Sequence, residues 1–235
     1  MFEYGVYNLK YFSPVHFRSL LTVLIFCIIL LIIPYIFKGI EKGKYVTFLG
    51  VLMLLSKIVD SSYRMIFEKA PYYDVLPLHL CNASIILAGI YFLTRKRVIF
   101  NMVYFYFSGA ILALLFPELG TYHYTVYPYL FMLTHLLEIF AVFFAFIHLD
   151  ETITFKGFIA GIIGYFVLII LAFIVNGIYE TNYMYVSNYI LSALNFIKPF
   201  IVYQVLFVSL FLASICLMYL PFAFNQKTEL EEKEI

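Results

Sequence analysis

Residues 74–82 read D-V-L-P-L-H-L-C-N and bring an acid, a proline, a histidine, a cysteine and an amide together in a chain that is otherwise mostly hydrocarbon. Such a set supports general acid–base or thiol chemistry. Proline fits the first turn of a helix, where its missing N–H would have had no partner, so Pro77 predicts a helix start. His79 and Cys81 then lie in or just after the first turn, where unpaired N–H groups and the positive end of the helix dipole favour a thiolate or another anion. On a regular helix His79 and Asn82 share a face at i, i+3, whereas Cys81 points away from His79. These two do not make a simple dyad.

Two further polar sets interrupt apolar segments. Lys57, Asp60 and Arg64 fall at i, i+3 and i+7, on one helical face, with Asp60 and Arg64 in the favourable order for an ion pair. His135 and Glu138 repeat the i, i+3 spacing deep inside another apolar run. Charges inside a membrane are expensive and face a bundle core or a wet cavity. Against this stands a structural reading, in which Arg64 snorkels, the trio is a clasp and His135 is a hydrogen-bonded core residue.

Three mechanisms compete for these residues. An imidazole acts as base, alone or with a thiolate nucleophile, in acyl transfer on a lipid, with Arg64 or Lys57 holding a phosphate or an oxyanion. Alternatively His79, His135 and a carboxylate bind a metal that activates water, although their spacing matches no zinc pattern, and no metal or other cofactor is assigned. In the third, the same cavity passes or binds a solute or lipid without covalent chemistry. Matched discontinuous helices would favour transport, and none is visible in the sequence.

The elements that must position these groups follow from composition. Hydrophobic residues make up 64% of the chain and charged residues 12%, about half the share of a soluble domain. This is an integral membrane protein. A net charge of +1 leaves no basic patch for nucleic acid, so a membrane lipid is the expected partner. The three cysteines lie in apolar stretches and form no disulfide framework. Tryptophan is absent beside 22 Tyr and 27 Phe, so tyrosine must supply the interfacial belt.

Seven spans are expected, at 20–37, 45–67, 76–94, 98–116, 128–148, 155–176 and 199–222. They form a single all-α, seven-helix domain over 1–224, with a loose charged tail at 225–235. The first nineteen residues are too polar to span, and the first helix is expected to stay uncleaved. The tyrosine-rich loop 118–127 is read as interfacial, with His123 carrying no chemistry and His148 a plain helix end. The stretch of about twenty residues after the sixth span is long for a bundle and is expected to be a lid or re-entrant segment. Lys38, Lys42, Lys44, Arg95, Lys96, Arg97, Lys156, Lys227 and Lys233 share one side, against Lys10, Arg18, Arg64, Lys69 and Lys198 on the other. The positive-inside rule then puts the N-terminus outside, the C-terminus in the cytoplasm and the 74–81 mouth on the outer face of the cell membrane.

L-P-L-H-L-C at 76–81, F-S-P-V-H at 12–16, P-E-L before the fifth span, His135 within it and T-N-Y-M-Y after the sixth together resemble the bacterial YwaF-type integral membrane proteins. These are distantly similar to the animal transmembrane protein 164 proteins, regarded as acyltransferases acting on ether phospholipids through a Cys and a His. The resemblance implies seven helices and lipid acyl chemistry. In the animal pattern a cysteine directly follows the proline and precedes the histidine. Here that slot holds Leu78, so the histidine carries over onto His79 and the nucleophile does not carry over, Cys81 lying two residues beyond. The tryptophans common after the N-Y-M segment are also missing. The expectation is a phospholipid or glycolipid acyl transferase or hydrolase with His79 as base, His135 and Glu138 as a second acid–base pair, Cys81 beside them, and Arg64, Asp60, Lys57 and Asn82 holding substrate. The alternative is a transporter or lipid-binding protein.

Overall fold

A computed structural model describes residues 3–117 and 120–233. Seven helices carry the fold: α1 (Pro14–Ile36), α2 (Lys42–Ile66), α3 (Leu80–Thr94), α4 (Arg97–Leu115), α5 (Tyr127–His148), α6 (Phe155–Tyr179) and α7 (Phe200–Lys233). Six of them are long and apolar enough to cross a membrane; α3 has 15 residues and falls short of that length. The chain is an all-α multi-pass membrane protein. Lysines and prolines at the ends of apolar runs made the helix bounds readable to within a few residues. The exceptions are the end of α7, which runs past the expected 222, and the start of α1, where Ser13 caps the helix by accepting the His16 N–H at 3.3 Å and Pro14 takes the first turn, ahead of the expected 20.

The start of α3 differs from expectation. Pro77 instead sits in a tight turn closed by the Leu78 N–H and the Leu76 carbonyl at 2.9 Å. The helix begins at Leu80, with His79 as an extended N-cap at φ −77° and ψ 148°. The physical reason is tertiary: rings of Tyr183 and Tyr185 flank His79 at 5.0 and 5.2 Å and hold this stretch against the 180–199 segment. At about 1.5 Å rise per residue α3 is about 22 Å long, less than the roughly 30 Å hydrocarbon core of a bilayer.

Short β1 (Tyr4–Asn8) and β2 (Thr121–Tyr124) pair antiparallel ahead of the bundle, with a bulge between Tyr4 and Tyr7. Glu118 and Leu119, which belong to the P-E-L element and the tyrosine-rich loop, lie outside the described residues, as do 234–235 at the end of the tail. The backbone of α7 continues as helix to Lys233, across most of the segment expected to be loose.

Helix α5 packs on α1, α2, α3 and α4 and is the centre of the bundle. Helices α2 and α3 cross at glycines: a Cβ on Gly89 would fall 3.0 Å from the Gly50 carbonyl oxygen, so only hydrogen lets the backbones approach. Backbone groups freed by proline are reused. Pro34 cannot donate to Leu30, and the Leu30 carbonyl accepts the Tyr45 hydroxyl at 2.6 Å instead. His148 is more than a helix end, since its Nε2 donates to the Leu31 carbonyl at 2.9 Å and ties α5 to α1. His16 accepts the Phe12 N–H at Nδ1, which leaves Nε2 to donate to the Leu114 carbonyl at 2.8 Å.

Candidate functional site

The faces of α2, α3 and α5 enclose a cavity of about 540 Å³, with α4, α7 and the 180–199 segment as its other wall. Asp60, Arg64, His79, Cys81, Asn82 and His135 line it together with Leu112, Phe116, Ile190, Leu191, Phe207 and Phe211, so its wall mixes polar and hydrocarbon groups. Six of the eight residues singled out in the sequence therefore share one space, while Lys57 and Glu138 sit behind its wall, 5% and 1% exposed.

The tightest cluster pairs differently from the sequence expectation. One donor atom each of Cys81, His135 and Glu138 lies within 4.8 Å of the other two, with Cys81 from α3 and the others from α5. His79 is not part of this group, so the ligand set of His79, His135 and a carboxylate is replaced by one built on the thiol. Cys81 lies in the first turn of α3 on the side that meets α5, while His79, outside the helix as its cap, packs on the tyrosines of the 180–199 segment.

The imidazole is set for proton transfer. His135 Nδ1 lies 2.7 Å from the Phe131 carbonyl oxygen one turn back, and a carbonyl only accepts. That contact assigns the proton to Nδ1 and leaves the Nε2 lone pair as the basic site. The Phe131 ring, 4.2 Å away between centroids, fixes the imidazole plane. The orienting partner is thus a backbone carbonyl, and Glu138 is left free of that task. Lys57 and Ser84 face Glu138, yet Glu138 Oε2 and Ser84 Oγ have no hydrogen-bond partner among the described residues.

Helix α3 supplies donors at the same spot. His79 makes no side-chain cap, and the first N–H of α3 bonded to a carbonyl is that of Ala83, to His79 at 3.0 Å. The N–H groups of Cys81 and Asn82 face the Cys81 sulfur. This is the anion-favouring end of a helix, delivered at the cavity wall.

The second correction concerns Asp60. It pairs with Lys57 at 2.8 Å, both nearly buried, and not with Arg64. Glu68, the other acid on the cavity wall, is taken by the His123 ring at 2.7 Å, the His123 backbone N–H at 2.9 Å and the Tyr63 hydroxyl at 3.1 Å. His123 thus straps β2 onto the end of α2. The Arg64 guanidinium reaches the cavity with no carboxylate bound to it among the described residues, beside His79, Tyr127 and Tyr183.

The 180–199 segment contributes Met184, Tyr185, Ile190 and Leu191 to the cavity lining. Asn176 holds it by donating to the Tyr183 carbonyl at 3.0 Å and accepting its N–H at 2.8 Å. Met184 and Tyr185 take left-handed backbone at φ 55° and 54°, a conformation non-glycine residues seldom adopt, and both line the cavity. Tyr183 donates to the Tyr73 carbonyl at 2.6 Å, and burial pushes its phenol up to about 12. Phe131, Ser84 and Tyr185 were not singled out in the sequence, because a backbone carbonyl, a serine in a helix and one tyrosine of 22 carry no spacing signal.

A family model described as the TMEM164 family matches residues 11–219. A protein of Treponema pallidum (strain Nichols) that carries the name "Uncharacterized protein" is 33% identical over 215 residues, covering 92% of this chain and 90% of its own. No solved structure matches the chain.

Proposed function

The chain belongs to the TMEM164 family, and from that premise we propose that it is a lipid-modifying enzyme of the cell membrane that transfers or hydrolyses an acyl group. The observation that carries this reading is a thiol, an imidazole and a buried carboxyl gathered within 4.8 Å, the first two lining a cavity of mixed polar and apolar walls. In the proposed reaction His135 Nε2 takes the Cys81 proton and the sulfur attacks the ester carbonyl carbon of a phospholipid or glycolipid. The oxyanion so formed meets the open N–H groups at the start of α3. The ester oxygen takes the proton back from the imidazolium and leaves as an alcohol. A second hydroxyl, or water, then attacks the thioester, gives its proton to His135 and restores the thiol.

The base role passes from His79 to His135 because the Cys81 sulfur lies beside His135. Arg64 anchors an anionic head group, since both acids near it are already paired. We place seven crossings in the membrane, with the basic loops cytoplasmic and the cavity mouth outside. The carrier reading has one observation in its favour, a short α3 whose N-terminus lines a cavity.

The test is lipid profiling of cells expressing wild type, Cys81→Ser or His135→Ala at equal abundance, with intact-mass detection of a hydroxylamine-sensitive acyl adduct. A lipid species that shifts only with wild type, and an adduct absent from Cys81→Ser, are expected. Identical profiles would sink the enzyme reading and promote the carrier, for which Arg64→Ala abolishes lipid binding while Cys81→Ser does not.

A further inference from the structure

We infer that Cys81, His135 and Glu138 form a binding site for one thiophilic divalent cation, zinc by preference. Sulfur, nitrogen and oxygen donors from two helices lie within 4.8 Å of one another. With metal bonds of about 2.3 Å to sulfur and about 2.0 Å to nitrogen and oxygen, tetrahedral donors stand about 3.5 Å apart, a closure of about 1 Å that side-chain rotation supplies. Three protein ligands with an open fourth position is the pattern of reactive zinc sites, whereas structural ones are closed.

Three independent features prepare the site. Nδ1 of His135 is held by the Phe131 carbonyl at 2.7 Å, the outer-shell bond that fixes a metal-binding imidazole with Nε2 pointing at the ion. Glu138 Oε2 has no hydrogen-bond partner among the described residues, in a side chain only 1% exposed and next to the other two donors. Cys81 and His135 also line the cavity, which provides an entry path and the fourth position.

Charge favours the ion as well. A thiolate and a carboxylate sum to −2, and the Lys57–Asp60 pair next to them is neutral as a unit. A divalent cation brings the cluster to zero, where an unpaired anion inside the bundle would be costly. Binding replaces the thiol proton, and the carboxyl proton if Glu138 holds one, by bonds to the metal. Where the thiol mechanism proposed above operates, the metal occupies both Sγ and Nε2, so the loaded protein is switched off.

The test is a Co²⁺ titration of the purified full-length protein in detergent with a reductant that contains no thiol. One Co²⁺ per chain is expected, with a near-ultraviolet thiolate-to-cobalt band that Zn²⁺ abolishes. The band disappears in Cys81→Ser and survives in Cys27→Ser and Cys216→Ser, while Glu138→Gln binds at least about tenfold more weakly. As a check independent of these variants, Zn²⁺ raises the melting temperature of wild type. A wild type with no stoichiometric band, or a band unchanged in Cys81→Ser, overturns the site. A protein that transfers acyl groups and binds no cobalt keeps the thiol mechanism and loses the metal. One that binds cobalt and changes no lipid does the reverse.

Discussion

Two polar clusters at opposite ends of α3 are built from the same kinds of residue and finished differently. At the C-terminal end Glu151 accepts the Tyr91 hydroxyl at 2.9 Å and Arg97 Nε at 2.9 Å. Beside it Asn101 donates to the Thr152 carbonyl at 2.9 Å and accepts the Thr154 N–H at 3.0 Å. Every one of these groups has a partner. At the N-terminal end Glu138 Oε2 and Ser84 Oγ are orphaned, the α3 cap is open and Arg64 has no acid bound to it among the described residues. Saturated polar groups fasten helices together, whereas unsaturated ones beside a cavity hold free energy in reserve for a ligand.

The comparison breaks most readily at its reactive end. His135→Ala and Cys81→Ser should each cost about 10²–10⁴-fold in acyl turnover, read by product formation, with little change in melting temperature. A mutant that unfolds instead would move this cluster into the fastening class. At the saturated end, Asn101→Ala should lower stability by about 3 kcal/mol and leave turnover per folded molecule unchanged, because it strands the Thr152 carbonyl and the Thr154 N–H. Thermal unfolding in detergent measures it.

Arg64→Ala should raise KM for an anionic lipid about tenfold, leave kcat nearly intact and shift stability by about 0.5 kcal/mol or less. A neutral lipid substrate should not sense the change. The smallest effect sharpens the contrast by its sign. Glu138→Leu should stabilise the metal-free protein by about 1 kcal/mol, since it removes a buried orphan, while Glu151→Leu should destabilise by at least that much. Equal signs in a paired melting experiment would dissolve the distinction.

Much of the fold was legible because lipid imposes a simple rule. Apolar runs closed by Lys38, Arg95 or Pro117 had to be helices, and the charges inside them had to face inward. That rule singled out Asp60, Arg64, His79, Cys81, Asn82 and His135, which all line one space. It failed at Pro77, where proline chemistry fits a helix start and a tight turn equally well, and ring packing on His79 chose the turn. It failed again at Asp60, whose i+4 neighbour Arg64 and i−3 neighbour Lys57 are both within helical reach.

The sequence by itself determined a multi-pass helical bundle, most helix bounds to within a few residues and the set of polar side chains that had to be sheltered from lipid. Only the tertiary structure decided their pairing. Cys81 and His135 are far apart in sequence on different helices, and no local periodicity relates them. What joined them was the packing of α3 on α5, which sets the thiol beside His135, while the later start of α3 leaves the His79 ring outside the helix, packed on Tyr183. Helical periodicity reports which residues share a face, while the partner across a helix interface depends on where each helix begins and how the two cross.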